Sequence, residues 1–191
     1  MRVVAGQAKG LPLKAVPGNS TRPTTDKVKE SIFNMIGPFF DGGTAVDLFA
    51  GSGGLGIEAL SRGINHVIFT DKDKKAVETI QANLEKTKLT ESAEVYRADA
   101  ERGLKAMKKN GVKARLLFVD PPYHMEKAYG LMAKAVEFGL LEDDAIIVCE
   151  HERDIELPDE TARCVRFKKE LYGNTIISIY RYQGEEGERI D

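Results

Sequence analysis

The sequence predicts an α/β domain: a mostly parallel sheet flanked by helices, closed by an antiparallel strand, with a small β-hairpin at the N-terminus. Three observations lead there. Short apolar runs alternate with segments of helical period between about residues 45 and 149, the rhythm of right-handed βαβ units. Gly51-Ser-Gly53-Gly-Leu-Gly56 joins the first of those runs to the helix after it, as a strand-to-helix turn around a ligand would. The alternation then stops: two strand-like runs, 163–171 and 175–182, flank Tyr172-Gly173-Asn174, which reads as a hairpin.

The elements follow in order. Residues 2–5 and 11–16 are short extended runs joined by Gly6-Gln-Ala-Lys-Gly10, a hairpin-like unit too small to form its own core. Arg22-Pro-Thr-Thr-Asp26 opens a helix that Thr24 or Thr25 can cap, with Val28, Ile32, Phe33, Met35 and Ile36 along one face. Strands are expected at 45–49, 66–70, 94–97, 116–119 and 145–149, and helices at 55–60, 74–84, 100–107 and 128–138. The chain thus divides into a basic hairpin extension over 1–20, a main domain over 21–184 and an acidic tail over 185–191.

Composition narrows the class. A chain of 191 residues is one domain by the usual length prior. No apolar run is long enough to span a bilayer, and the first residues lack the apolar core of a signal peptide. Cys149 and Cys164 are the only cysteines, far apart and without CxxC spacing, so neither a disulfide framework nor a metal site is expected. A reducing, cytoplasmic setting follows. The net charge of −2 gives no overall pull toward nucleic acid. Its distribution does: Arg2, Lys9, Lys14, Arg22, Lys27 and Lys29 face one acid, Asp26, in the first 29 residues. That is a phosphate-contacting surface or, more simply, a solvated terminus.

The glycine turn carries chemistry when read with the acids around it. Glycines at 51, 53 and 56 let the backbone approach a ligand closely; a plain turn with Ser52 capping the helix is the simpler alternative. Asp71 ends the next strand, at the spacing where an acid takes a ribose diol. Asp47, just ahead of the glycines, would repel a pyrophosphate but suits a cationic aminoacyl group, unless it merely ends its strand. Asp99-Ala100 follows a third strand and could take an adenine amino group, or Asp99 could cap the next helix.

Asp120-Pro-Pro-Tyr123 is the specific element. It follows the run Leu116–Val119 and so belongs at the carboxyl end of a strand, the edge where open α/β sheets bind ligands. Consecutive prolines have no N–H to donate, so their carbonyls and Asp120 form an acceptor-only cradle, and Tyr123 can stack on a base. A Pro-Pro turn with a buried tyrosine is the rival. A cradle for an exocyclic amino group beside a nucleotide-like cofactor points to methyl transfer from S-adenosylmethionine to a nucleic-acid nitrogen.

Arg22-Pro-Thr-Thr-Asp-Lys-Val-Lys-Glu30, the segment from Asp47 to Gly63 and Asp120-Pro-Pro-Tyr123, in this order and spacing, resemble the RsmD family. These are class I, Rossmann-like methyltransferases that modify guanine N2 in bacterial small-subunit (16S) ribosomal RNA. The resemblance runs from Arg2 to about Tyr182. It implies S-adenosyl-L-methionine contacts from Asp47, Gly51, Gly53, Asp71, Asp99 and Ala100, and base contacts from Asp120, Pro121 and Tyr123. It places 22–26 beside the methionine end of the cofactor. Relatives often carry Ala at position 54, Glu at 71 and Phe at 123; the last change keeps the stacking plane. Ribosomal RNA, free or in an assembling small subunit, is the partner implied, and the charge pattern makes Arg2, Lys9, Lys14 and Arg22 its expected phosphate contacts. The rival expectations are an adenine-N6 DNA methyltransferase, for which some twenty N-terminal residues are too few to read a sequence, and a non-catalytic RNA-binding factor.

Overall fold

The structure, a computed structural model, describes residues 1–18 and 24–184. After α1 (Asp26–Ile36), strands and helices alternate: β1 (Thr44–Asp47), α2 (Gly54–Ser61), β2 (His66–Asp71), α3 (Lys74–Thr87), β3 (Ala93–Arg97), α4 (Ala100–Lys109), β4 (Ala114–Val119), α5 (Leu131–Glu137) and β5 (Leu141–Glu152). Three strands follow: β6 (Glu160–Thr161), β7 (Cys164–Tyr172) and β8 (Thr175–Tyr182). They form one sheet in the order β3-β2-β1-β4-β5-β8-β7-β6. The first five are parallel; β8 runs antiparallel to β5, and β7 to β8. The chain winds outward from β1 to β3, then returns to lay β4 on the other side of β1. That reversal opens a crevice at the carboxyl ends of β1 and β4.

Strands covered on both faces must be apolar throughout, and β4 shows it. Leu116 and Phe118 pack with Phe33, Ile57, Phe69 and Ile80 on one face, Leu117 and Val119 with Leu104, Met132 and Ile147 on the other. Two elements differ from expectation. The helix expected over 128–138 is a 3-10 turn, Glu126–Gly130, followed by the shorter α5; Gly130 is a poor helix former at the junction. β5 begins earlier than expected, and its register on β4 shifts between Ala114 and Leu116.

The N-terminal segment makes a single antiparallel bridge, Arg2 to Pro12. It does not stand apart: Val3, Ala8 and Leu13 are buried in the main core. Its backbone is sewn to two helices. The Glu58 carboxylate of α2 accepts from Val4 N–H at 2.8 and 3.1 Å, and Ser61 Oγ accepts from Ala8 N–H at 2.9 Å. On α3, Asn83 accepts from Lys14 N–H and donates back to Lys14 O.

Lys29 corrects the reading of the basic N-terminal stretch as one phosphate-facing surface. It is fully buried, donates to Arg2 O at 2.6 Å and lies 3.9 Å from Glu58, which Arg62 approaches at 3.6 Å. The sequence shows Lys29 only as another cation, because α1's burial is decided by where α2 packs. Burial pulls the Lys29 ammonium down from its ordinary pKa, and the Glu58 and Asp26 carboxylates oppose that shift.

Removing one partner of a buried ion pair leaves the other uncompensated, at a cost of about 3–5 kcal/mol. Glu58→Ala should therefore destabilise the protein by about that much in urea unfolding, and Lys29→Met with Glu58→Gln together by much less. A single-variant loss under about 1 kcal/mol would show that the network contributes little.

Candidate active site

The carboxyl ends of the parallel strands carry an acid each, and the strand order brings them into a row: Asp99 after β3, Asp71 on β2, Asp47 on β1, Asp120 after β4 and Glu150 on β5. Four of the five feel one another. Asp71 and Asp120 each act on Asp47 or are acted on by it, and Glu150 acts on Asp120. Glu150 belongs to no motif, and sequence reading missed it; a glutamate near the end of an apolar run was the available signal.

The glycine turn is built as a cradle. Gly53, at φ 84°, occupies the cap position of α2 with no side-chain cap, so Ser52 does not cap this helix. Gly51, at φ 55°, has nothing within 4 Å of where a Cβ would stand, so its open side faces free space. Gly56 has the opposite role: a Cβ there would lie 2.3 Å from the Phe69 ring, so its absence lets α2 sit close on β2. Asp71 shapes the turn, accepting from Gly51 N–H and from Asp73 N–H, both at 2.9 Å. Each carboxylate oxygen keeps a second lone pair for a ligand. Asn83 (missed in the sequence, where it is one polar residue of a helix) donates to Ser52 O at 2.9 Å as well as binding Lys14, so it ties the N-terminal segment to the turn.

Asp47 is 2% exposed and its Oδ1 has no hydrogen-bond partner. Burial raises its pKa to about 7; the Gly56 main chain opposes the rise and Asp71's charge adds to it. A buried carboxylate with an unused oxygen beside an open glycine cradle fits a cationic ligand group. Asp99 does cap α4, accepting from Arg102 N–H at 3.0 Å, with Ala100 as the first helical residue.

The Asp120-Pro-Pro-Tyr123 loop turns back on itself: Met125 N–H donates to Pro122 O at 3.3 Å, with His124 at φ 60°. The Pro121 carbonyl is used by no hydrogen bond among the described residues. Tyr123 is not buried but 69% exposed, its ring edge-on to His124. Beside it a cleft of about 370 Å³ is lined by Tyr123, His124, Glu152, Arg153, Asp154 and Asn174. Asn174, in the β7–β8 turn, accepts from Arg153 N–H at 3.0 Å, so the closing hairpin walls this side of the site. A second hollow, lined by Ile36, Phe40, Arg115 and Glu142, lies at the opposite, amino end of β4.

Burial, then the charges of Glu150 and Asp47, push the Asp120 carboxyl well above the usual carboxylate range. Glu150 is raised by burial, while Thr24 Oγ donates to its Oε2 at 3.0 Å. Thr25, not Thr24, caps α1. Arg2, Lys9 and Lys14 are exposed on the N-terminal segment, and Arg22 and the acidic tail lie outside the described residues.

Comparison with known proteins is decisive for the family. The family model described as Conserved hypothetical protein 95 matches residues 1–181. The chain belongs to this family, the RsmD family. The Bacillus subtilis protein named "Putative rRNA methyltransferase YlbH" is 56% identical over 184 residues, covering 96% of this chain and all of that protein. Ribosomal RNA small subunit methyltransferase D of Haemophilus influenzae is 36% identical, over 81% of this chain and 80% of its own. Among solved structures, a hypothetical protein of Thermus thermophilus matches with a TM-score of 0.80 at 29% identity, over 96% of this chain and 99% of that one. An RNA methyltransferase from Salinibacter ruber, solved with S-adenosyl-L-homocysteine, matches at TM-score 0.64 and 13% identity, covering 89% of this chain and 99% of that one; the likeness there is one of fold. The fold is the class I, Rossmann-like methyltransferase fold.

Asp47 is protonated in the folded protein, and ionised in the unfolded chain, between its ordinary pKa and about 7. Its folded pKa is raised, so its contribution to stability falls as pH rises across that window. Asp47→Asn should therefore stabilise the ligand-free protein more at pH 8 than at pH 5, by a difference on the order of 2–3 kcal/mol. Urea unfolding at the two pH values checks this; an equal effect at both would mean that Asp47 is not buried as a charge.

Proposed function

We propose that this protein is an S-adenosylmethionine-dependent methyltransferase acting on the N2 amino group of a guanine in small-subunit ribosomal RNA. One observation carries the reading: Asp120 and the unused Pro121 carbonyl stand at the β1/β4 crevice beside the unpartnered Asp47 carboxylate, with an exposed aromatic ring next to them. The family membership and the names of the relatives support an rRNA methyltransferase; the choice of guanine N2 rests on the family resemblance of the motifs.

The donor fits the residues present. Asp47 would hold its ammonium end, the Gly51–Gly53 cradle its backbone-facing side, Asp71 the ribose hydroxyls, and Asp99-Ala100 the adenine. When bound, it supplies a methyl group already activated by a sulfonium centre. The chain's own work is to prepare the nitrogen. A guanine N2 lone pair is delocalised into the ring and attacks poorly. Hydrogen bonds from its two N–H groups to Asp120 and Pro121 O localise that pair, while Tyr123 stacks on the extruded base. Positioning of this kind contributes on the order of 7–11 kcal/mol in well-oriented reactions.

Labelled donor incubated with small subunits, naked small-subunit RNA or DNA, followed by nucleoside analysis, tests the assignment. N2-methylguanosine in the RNA is the expected product; N6-methyladenine in DNA, or no transfer at all, would overturn it. Asp120→Ala should lower turnover by about 100-fold or more while calorimetric donor affinity stays within a few-fold. A large loss of donor binding in that variant would remove Asp120 from the base side of the site.

The exposed cations of the N-terminal segment would grip RNA phosphates. Replacing Arg2, Lys9 and Lys14 together should weaken RNA binding and flatten its salt dependence, each lost contact reducing the slope of log affinity against log salt by about 0.7–0.9. An unaltered slope across a filter-binding salt series would mean that these side chains are merely solvated.

A further inference from the structure

Glu150 is held too deliberately for a strand-end residue. β4 and β5 are parallel neighbours with Val119 opposite Cys149, so the next residues along, Asp120 and Glu150, lie side by side, and their carboxyl groups share a hydrogen bond. An ionised carboxyl can only accept; a bond between two of them therefore needs a proton on one. Glu150 already accepts from Thr24 Oγ at 3.0 Å, and its main-chain carbonyl accepts from Tyr129 OH at 2.8 Å. The Thr24 bond favours Glu150 as the accepting anion and Asp120 as the donor, while the Tyr129 bond fixes the Glu150 main chain. The shared bond accordingly raises Asp120 and lowers Glu150.

We propose that Glu150 is the positioning and proton-accepting partner of Asp120 in methyl transfer. It holds the Asp120 proton on the side facing β5 and so leaves the other Asp120 oxygen as acceptor for the target amino group. The inference rests on the base-pocket reading above. The nitrogen lone pair forms the new N–C bond as the S–C bond breaks, its electrons staying on sulfur. The nitrogen then gives a proton to the free Asp120 oxygen, and Asp120 passes its own proton to Glu150. The pair carries one negative charge before transfer and none after, matching the positive charge lost from the donor. No net charge is created in a buried site, where it would be costly. Thr24, half-buried at the entry to α1, holds the Glu150 carboxyl through its hydroxyl.

The groups facing the pair are Asp47 from β1, the Tyr129 phenol from the 3-10 turn and the Thr24 hydroxyl; Cys149 and Glu152 from β5 face Tyr129 in turn. His124 stands 3.9 Å from Glu152. The Tyr129 and Cys149 groups are pushed upward by burial and stay neutral, so the carboxylates govern the titration, and they oppose loss of the last proton.

Carbon-detected NMR titration of the side-chain carboxyls in the ligand-free protein tests the sharing directly. The pair should titrate in two macroscopic steps, with Asp120 still protonated well above the ordinary aspartate range. In Glu150→Gln the negative neighbour is gone, and the Asp120 midpoint should fall by one pH unit or more. Thr24→Val, which removes a donor to the Glu150 anion, should move the pair's titration the other way. In methyl-transfer assays Glu150→Gln should lower kcat by about 10- to 100-fold, shift its pH profile with the Asp120 midpoint, and leave KM for RNA within about twofold. An Asp120 midpoint unmoved by Glu150→Gln, or wild-type kcat and pH profile in that variant, overturns the proposal. Failure of the base-pocket reading would look different: Asp120→Ala would retain turnover whatever the titration shows.

Discussion

Everything at the site depends on the reversal of winding at β1. Because β2 and β4 flank β1 on opposite sides, α2 and α3 cover one face and α4 and α5 the other. No crossover then closes the gap above β1 and β4. The same reversal makes neighbours of Asp71, Asp47 and Asp120, which are far apart in sequence. Parallel pairing of β4 with β5 extends the row to Glu150.

Such a row of acids is costly in the empty protein, and the surrounding structure offsets the cost unevenly. Asp71 is satisfied by two main-chain N–H groups and Asp99 by its helix. Asp47 is left buried and Asp120 half-buried, and both carboxyls are pushed upward. The missing partner is at Asp47, whose Oδ1 accepts no hydrogen bond and where a cationic donor would supply one. Behind the site the balance is reversed. Glu58 has two cations and a backbone N–H around it, and this clamp joins the N-terminal segment, α1 and α2 into one body.

The N-terminal segment gains a second purpose from that clamp. Through Asn83 it also touches the carbonyl of Ser52 in the glycine turn. Exposed Arg2, Lys9 and Lys14 are therefore carried on a backbone whose position is coupled to the glycine turn. RNA held by these cations would be held at a set distance from Asp120.

The sequence by itself determined what is local. Apolar period marked the five parallel strands and their helices, turn chemistry marked the β7–β8 hairpin, and glycine spacing marked the cradle, each close to its observed place. Motif spacing also singled out Asp47, Asp71, Asp99 and Asp120, because each ends a strand or opens a helix. Only the tertiary structure decided which of these acids meet. Lys29 reads as one more surface cation until α2 packs over it. Glu150 reads as the end of an apolar run until the register of β5 on β4 sets it beside Asp120. Ser52 stays open as an alternative helix cap until Gly53 takes that position in a left-handed conformation. Periodicity and turn propensity act over a few residues, whereas the charge state of a carboxyl depends on burial and on neighbours that arrive from other strands. For that reason the fold could be read along the chain, and the chemistry of Asp120 only across the sheet.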